Sequence, residues 1–167
     1  NSTKPDKHYD RIASIIDYVN TLVDEGYWNY DELPELCRNV YFTDYLMTQV
    51  QNGGLAQFFD NSGGKHDDEV LRGLKKIGAD DYARLFREAQ KAAQVDSGYA
   101  NPQLIKLDDR FFHLNQKKEL TQYNCEYLET NKAQIEILSD SDYRAFMDAL
   151  TKNDPNLNER YERCKEE

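Results

Sequence analysis

The chain has 167 residues, enough for one compact domain with its own core. Its 31 Asp and Glu residues outnumber its 21 Lys and Arg residues and give a formal net charge of -10, so its surface repels nucleic acid and anionic lipid. Hydrophobic residues make up 39% of the chain, which excludes wholesale disorder. We therefore predict a single domain over residues 1–167 that binds neither nucleic acid nor membranes directly.

The N-terminal third of the chain shows apolar residues at helical spacing. Between residues 7 and 25 they follow steps of three and four, which is typical of an amphipathic helix, and Gly26 then supplies a stop. The same spacing over residues 36–50 predicts a second long helix, which ends at the glycine-containing residues 52–54. A short apolar helical turn over residues 55–59 precedes a glycine-rich loop.

The middle of the chain predicts further helices and one clear loop. Residues 67–77 begin with three carboxylates, which suit the positive end of a helix dipole. Asp80 is placed to cap the next helix, which continues to Ala93. Residues 96–108 contain glycine and proline, so we predict a loop there rather than a domain boundary. Helical spacing resumes over residues 111–128.

The C-terminal segment predicts two short helices. Ser139 and Asp142 form a capping box, which places the start of a helix that runs to Leu150. The apolar residues within 157–164 predict a terminal stripe that frays. The pattern along the whole chain indicates an all-α fold, organised as a single compact multi-helix domain.

Residues that carry catalytic or metal-binding chemistry are scattered. His8, His66 and His113 lie in no metal-binding spacing, and we expect each to be a surface or packing residue. The segment Gly63-Gly64-Lys65 lacks the other residues of a phosphate-binding loop. We therefore expect no enzyme activity, no cofactor and no metal site. A hydrolytic enzyme is the outside alternative, because separate carboxylates can converge in a cleft that a sequence does not reveal.

The cysteine content and hydropathy predict where the protein resides. Three widely spaced cysteines imply no disulfide framework and fit a reducing compartment. No apolar run approaches the roughly 18 residues of a membrane span, and the N-terminus lacks the apolar stretch of a signal peptide. We predict a cytoplasmic protein.

An acidic line runs along the first predicted helix. Asp10, Asp17 and Asp24 recur every seven residues, so they drift by only roughly 20° per step and lie nearly opposite the apolar stripe. At about 1.5 Å of rise per residue, neighbouring carboxylates are roughly 10.5 Å apart. Three nucleotides of one DNA strand cover nearly the same distance. A plain solvated helix face explains the same spacing, so the line alone does not separate the two interpretations.

The acidic line belongs to a longer run of one charge sign. Residues 12–37 contain no Lys or Arg. The candidate phosphate-mimicking carboxylates are Asp10, Asp17, Asp24, Glu25, Asp31, Glu32 and Glu35. Self-repulsion in such a field opposes folding, so its presence favours a cationic partner.

Aromatic residues are interleaved with these carboxylates. They are Tyr18, Tyr27, Trp28 and Tyr30. At a binding surface they would supply contact area to the partner. The alternative interpretation is that they pack in the core between the first two helices.

Several short motifs in the middle of the chain are shared with a known family. They are Gln51-Asn52-Gly53-Gly54, Gln57-Phe58-Phe59, Asn61-Ser62-Gly63-Gly64, Ile77-Gly78-Ala79 and Leu107-Asp108-Asp109-Arg110. Over residues 40–130 the chain resembles a bacterial family that includes a small acidic DNA-mimic protein. The resemblance implies an all-helical protein whose surface carboxylates imitate duplex phosphates. The motif residues themselves resemble glycine caps and aromatic packing, so they transfer no binding site.

The resemblance also implies a partner. That partner is a helix-turn-helix transcriptional repressor, which leaves its operator when its basic surface is occupied. The alternative is an acidic interaction or immunity-type protein that binds and inhibits a basic toxin or enzyme, since that function uses the same charge. The sequence leaves the identity of the partner and the oligomeric state open, a homodimer included.

Overall fold

The computed structural model describes residues 7–166, with side chains from Asp10 onward. Within this range the chain forms α1 (Lys7–Gly26), α2 (Glu35–Ser62), α3 (Asp67–Lys76), α4 (Asp80–Val95), α5 (Pro102–Lys117), α6 (Leu120–Thr130), α7 (Asp140–Leu150) and α8 (Leu157–Glu166). Two 3-10 turns, Tyr30–Glu32 and Lys132–Gln134, complete the regular structure, and the described residues contain no strand. The predicted all-α fold class is confirmed.

The backbone contacts divide the chain into two compact units. The terminal unit comprises residues 1–38 and 130–167, and the central unit comprises residues 39–129. The sequence predicts one domain over the whole chain, and that assignment stays a prediction. Each unit is built on its own set of buried side chains, and each is described separately.

The terminal unit is built around α1. This helix buries Ile12, Val19 and Leu22, as its apolar spacing predicts, and α7 and α8 both pack on it. From α7 the buried residue is Met147. From α8 the buried residue is Arg160, and Tyr161, which belongs to the predicted apolar stripe over residues 157–164, packs against Tyr27.

Arg160 fastens α8 to the end of α1. Its Nε donates a hydrogen bond to the Gly26 carbonyl at 3.0 Å, and its guanidinium lies 4.0 Å from the centroid of the Trp28 ring. The same guanidinium forms an ion pair with Asp154. Trp28 in turn donates from Nε1 to the carbonyl of Leu150 at 2.9 Å. These contacts, which we call the Arg160 clasp, join the ends of α1, α7 and α8.

The predicted stop at Gly26 is confirmed, although its physical basis differs from a simple glycine cap. The left-handed backbone conformation falls on the next residue, Tyr27, with φ 55°. A Cβ atom at Gly26 would lie 2.6 Å from Cδ1 of Trp28. Glycine is therefore required so that the indole can fold back over the end of the helix.

The core of the central unit is aromatic. Phe58 and Phe59 from α2 both pack against Phe86 of α4, at ring-centroid distances of 5.3 and 5.9 Å. Tyr82 on the same face of α4 meets Phe111 of α5 edge-on at 5.1 Å. Helix α4 also packs along α3 and α5. The aromatic rings of the shared sequence motifs thus contribute to the core of this unit.

The glycines at the predicted end of the second helix break α2 into two segments. Gly53 has φ -165° and ψ 21°, and Gly54 has the left-handed φ of 77°. Helix geometry resumes at Leu55, whose amide donates to Oδ1 of Asp108 at 2.7 Å. A Cβ atom at Gly54 would lie 2.5 Å from Oδ2 of Asp108. The shared glycine motif therefore makes room for a carboxylate that caps the second segment of α2.

A row of polar contacts fixes α6 against α2. The contacts are Asn39 Nδ2 to Tyr127 Oη (3.0 Å), Thr43 Oγ1 to Asn124 Oδ1 (2.9 Å) and Thr121 Oγ1 to Met47 Sδ (3.3 Å). Each successive contact lies four residues further along α2 and three residues earlier on α6. Asn39, Thr43 and Asn124 are buried. A shifted register would therefore leave their polar groups without hydrogen-bond partners inside the protein. We call this row the polar ladder.

Two predicted element boundaries are wrong. The loop predicted over residues 96–108 ends at Asn101, whose side chain accepts from the amide of Gln103, and Pro102 begins α5. Asp80 is the first residue of α4 rather than its cap, because Ala79 occupies the capping position. The Ser139 cap is confirmed, since its hydroxyl accepts from the Asp142 amide at 3.2 Å.

Candidate protein-binding surface

The seven candidate carboxylates are all exposed. Asp10, Asp17 and Asp24 lie on one face of the uninterrupted helix α1, opposite the buried Ile12 and Val19. Asp10, Asp17, Asp24, Glu25 and Asp31 form no ion pair with any residue that the structure describes. The structure therefore brings the acidic line of α1 to the surface with its charge largely uncompensated.

Asp17 is the member of the line with a hydrogen-bonding partner from another helix. The hydroxyl of Tyr143 on α7 donates to Oδ2 of Asp17 at 3.1 Å. Partial burial, followed by this contact, raises the pKa of Tyr143 to about 12. The hydroxyl therefore stays protonated at neutral pH and holds the Asp17 carboxylate in a fixed orientation.

Asp24 and Glu25 lie at the end of α1 where a carboxylate is least favourable. The last turn of α1 contains no basic residue. The carbonyl groups at this end carry the negative pole of the helix dipole, so carboxylates there are repelled by the backbone as well as by each other. Neither residue caps the helix or pairs with a cation in the described part of the chain. Their placement opposes stability and calls for another explanation.

The structure corrects the interpretation of Glu32. Although residues 12–37 contain no Lys or Arg, Arg163 of α8 reaches Glu32 with an N to O distance of 2.8 Å. The hydrogen bond from this guanidinium lowers the pKa of the Glu32 carboxyl. The Glu32 carboxylate also accepts from the amide of Asn29 at 2.7 Å. Glu32 therefore stabilises the 3-10 turn and has part of its charge compensated, whereas its neighbour Asp31 forms no ion pair with a described residue.

Three of the interleaved aromatic residues contact α7 or α8. Tyr18 stacks on Phe146 of α7, Tyr27 lies 5.0 Å from Tyr161 of α8, and Trp28 belongs to the Arg160 clasp. All of them remain half-buried. They therefore support the terminal unit and at the same time contribute to its surface.

Comparison with known proteins assigns the family. The model of a family described as DMP19-like protein matches residues 31–163. The chain belongs to the DMP19-like family. This is a family of DNA-mimic proteins, in agreement with the resemblance carried by the sequence motifs. Among curated proteins and among solved structures, none matches the chain.

The match places the candidate carboxylates of this DMP19-like protein in two groups. Asp31, Glu32 and Glu35 lie within the matched residues, and Glu35 is the first residue of α2. The acidic line of α1 precedes the matched segment. The family assignment therefore supports the class of function, whereas the argument for α1 rests on the charge and exposure of this chain.

A depression lies between α4 and α5, and carboxylates form part of its lining. It is lined by Asp81, Arg84, Glu88, Asp109, Arg110, His113 and Leu114. Arg84 pairs with Asp81, and Arg110 pairs with Glu88. The depression is open to solvent.

Among the described residues, the histidine, cysteine and acidic side chains do not cluster as metal ligands. This part of the chain contains no group of three or more His, Cys, Asp and Glu side chains arranged to hold a metal ion. His66 packs against Phe42 and Tyr45, while His113 is exposed and His8 lies outside the described side chains. The cysteines Cys37, Cys125 and Cys164 are free thiols. Among residues 7–166, no helix has the length and apolar character needed to cross a bilayer.

Sequence reasoning missed the partners that α7 and α8 bring to this surface. Tyr143 contacts Asp17 across 126 positions of sequence, and Arg163 contacts Glu32 across 131. Phe146 has the helical spacing of a core residue of α7 but is 43% exposed. The periodicity of α7 identifies a buried face, but it does not tell which of its aromatic residues lies at the edge of that face.

Proposed function

We propose that this protein is a DNA mimic that binds the basic DNA-binding surface of a helix-turn-helix transcriptional repressor, blocks operator binding and relieves repression. The observation that carries the proposal is the placement of Asp24, Glu25 and Asp31. They are exposed, they form no ion pair with a described residue, and two of them lie where the helix dipole disfavours them. Membership of a DNA-mimic family supports the same conclusion.

The mechanism follows from competition for cationic side chains. A repressor binds its operator largely through Lys and Arg, which replace the counterions around the phosphates. Carboxylates spaced by roughly 10.5 Å along a rigid helix offer those side chains an alternative set of negative charges. Because the mimic presents no base edges, it competes through the shape and spacing of its charges rather than through a sequence code.

The partner is identified by capture and then tested on its operator. The full chain is immobilised and exposed to lysate, and bound proteins are eluted with a short duplex DNA. A captured repressor is then mixed with its labelled operator, and the protein is added. We expect the retarded operator band to disappear near equimolar protein. Persistence of the repressor–operator complex at a large excess would overturn the proposal.

A matched pair of variants locates the surface. Asp17→Asn, Asp24→Asn and Asp31→Asn together remove three charges from the candidate surface. We expect this triple variant to compete about tenfold less well, because three exposed pairs contribute up to about 0.5 kcal/mol each. Its salt dependence should also be weaker. The measurement is the protein concentration that halves the operator band at two salt concentrations.

The control removes the same charge from the other unit. Asp60, Asp68 and Asp109 are exposed residues of the central unit, and their replacement by Asn leaves the net charge equal to that of the first variant. We expect this control to compete within about twofold of the natural chain, since screening limits the reach of distant charges. Equal losses from both variants would show that net charge alone, and not the surface on α1, drives binding.

The capture step also separates this function from the alternative. Recovery of a basic toxin or enzyme in place of a transcription factor would indicate an immunity-type inhibitor, which uses the same charge. Elution by duplex DNA distinguishes proteins held through their DNA-binding surface from those held elsewhere.

A further inference from the structure

Phe146 forms an exposed aromatic surface beside the acidic line. Its ring is 43% exposed and stacks on Tyr18 of α1, with ring centroids 6.4 Å apart and an angle of 11° between the planes. One turn earlier on α7, Tyr143 donates its hydroxyl to Asp17. Tyr18, Tyr143 and Phe146 thus form a continuous group of rings across α1 and α7. We call this group the aromatic ledge.

The aromatic ledge is more exposed than core packing requires. On α7 the residue that fills the core is Met147, whereas the adjacent Phe146 keeps much of its ring in solvent. Ala145 and Ala149, on the same helix, are exposed and small, so they leave the ring accessible from outside. An exposed aromatic ring beside carboxylates offers a surface on which a cation can bind.

The charge around the ledge is negative. Asp17 adjoins Tyr18, and Asp142 lies four residues before Phe146, which places it on the same side of α7. Asp142 is held by the Ser139 hydroxyl at 2.6 Å. The cation of α7, Arg144, is two residues from Phe146, so it projects from a different side of the helix. A positively charged group approaching the ring therefore meets carboxylates from both helices.

These observations select one kind of cationic side chain. The guanidinium of arginine is planar, so it can stack on an aromatic face and donate hydrogen bonds in its own plane to a carboxylate at the same time. The ammonium of lysine is a compact and strongly hydrated point charge, which does not combine these contacts as well. A row of carboxylates without the ring attracts both residues, but the ring adds a preference for arginine.

We propose that the aromatic ledge binds an arginine side chain of a protein partner, with the guanidinium stacked on Phe146 and hydrogen-bonded to Asp17 or Asp142. The inference rests on the proposed function and deepens it, because it names the residue type that the mimic recognises. The carboxylates supply the long-range attraction, and the ledge supplies a contact that a phosphate backbone does not offer. Recognition then depends on where the partner carries arginine.

The test uses two probes of equal charge. Fluorescein-labelled nona-arginine and nona-lysine are titrated with the full-length chain, and binding is followed by fluorescence anisotropy. We expect the natural chain to bind nona-arginine more tightly, since a cation–π contact at an exposed site corresponds to about two- to fivefold in affinity. Phe146→Leu should remove that part of the preference, and Phe146→Tyr should retain it.

Phe112 provides the matched control. It is 41% exposed and lies on α5 of the central unit. Phe112→Leu should leave the ratio of the two dissociation constants unchanged. An unchanged ratio in Phe146→Leu, or an equal fall in both leucine variants, would overturn the inference. Loss of the ratio while the repressor–operator band still disappears confirms the ledge within a working mimic.

A second measurement addresses the other occupant of an exposed aromatic surface, a second copy of this chain. Sedimentation velocity compares the natural chain with Phe146→Leu over a range of concentrations. We expect the two proteins to sediment alike. A dimer that the substitution dissociates would show that the ring is covered by another copy, and the arginine assignment would then be wrong. The operator competition assay remains independent of this outcome, so failure of the ledge and failure of the mimic function are distinguishable.

Discussion

The terminal and central units differ in their excess of carboxylates and in how charges are placed at the ends of α1 and α3. In the central unit 14 carboxylates face 11 Lys and Arg residues, whereas the terminal unit has 17 against 10. In the central unit α3 begins with Asp67, Asp68 and Glu69 and ends with two lysines, as the helix dipole favours. In the terminal unit α1 ends with Asp24 and Glu25 and no basic residue. The charges on α3 support that helix, whereas the carboxylates at the end of α1 oppose it.

The difference distinguishes carboxylates that stabilise the fold from carboxylates that are available for binding. A carboxylate that caps a helix or pairs with a cation is explained by stability, as Asp108 and Glu88 are. A carboxylate that is exposed and lies at the wrong end of a helix gains nothing from the fold. Such residues persist at a cost in stability, which is typical of positions that serve binding.

The largest predicted effect concerns the clasp that holds the terminal unit. Arg160→Met keeps most of the side-chain volume but leaves Asp154 and the Gly26 carbonyl without their guanidinium partner. We expect a loss of about 2–3 kcal/mol in the free energy of unfolding, because the buried Gly26 carbonyl loses a charged donor and the Trp28 ring loses its contact with the guanidinium. Denaturant unfolding followed by fluorescence of the single Trp28 reports directly on this unit.

The control for the clasp is Arg144→Met, which changes an exposed arginine of the same unit and should have little effect. The pH dependence gives a further check. The hydrogen bond from the Asn156 amide, followed by contact with Arg160, lowers the pKa of Asp154. The stabilisation is therefore present above the usual aspartate pKa of about 3.9 and is lost as the pH falls below it. The stability difference between the natural chain and Arg160→Met should become smaller there, because only the contact with Asp154 depends on this ionisation; an equal difference at every pH would contradict the ionic part of this account.

An intermediate effect is predicted for the polar ladder of the central unit. Thr43→Val leaves the buried Asn124 oxygen without its donor, so we expect a cost of about 1–2 kcal/mol. Asn124→Leu should cost less, because the single proton of the Thr43 hydroxyl can then be donated to the Asn39 carbonyl, 2.8 Å away. The Asn124 Nδ2 atom, which has no hydrogen-bond partner among the described residues, is removed as well.

The double variant completes the cycle for the ladder. Thr43→Val with Asn124→Leu should be less destabilised than the sum of the two single variants, since neither group is then left unpaired. Hydrogen exchange of amides within the central unit gives the free energies. Strict additivity would show that the two side chains do not stabilise one another.

The smallest predicted effect concerns carboxylates at the favourable and unfavourable ends of helices. Asp24→Asn with Glu25→Gln removes two carboxylates from the unfavourable end of α1, and we expect stability to rise by about 0.5–1 kcal/mol at low salt. Asp68→Asn with Asp80→Asn removes two from the favourable ends of α3 and α4, and should lower stability by a similar amount. Both effects should shrink as salt is added.

Unfolding of the natural chain and the two double variants, measured side by side, checks the signs. Trp28 fluorescence reports on the α1 pair, and amide exchange in α3 and α4 reports on the other. Destabilisation by the Asp24 and Glu25 substitutions would mean that these carboxylates support the fold, and the main argument for the binding surface would then fail.

Much of the local structure could be predicted from the sequence because it depends on local signals. The apolar spacing of α1, its end at Gly26 and the Ser139 cap are each confirmed. The start of α5 was missed even though its signal was local. Asn101 followed by Pro102 was taken as part of a loop, but an asparagine cap with proline in the first turn is also a helix start.

The sequence by itself determined the helices, the excess of carboxylates and the face of α1 on which Asp10, Asp17 and Asp24 lie. Only the tertiary structure decided which charges remain available. It brought Arg163 to Glu32, Tyr143 to Asp17 and Phe146 to Tyr18, in each case across more than a hundred positions of sequence. Helical periodicity is set by neighbours three or four residues away, whereas compensation of charge depends on which distant helix packs alongside.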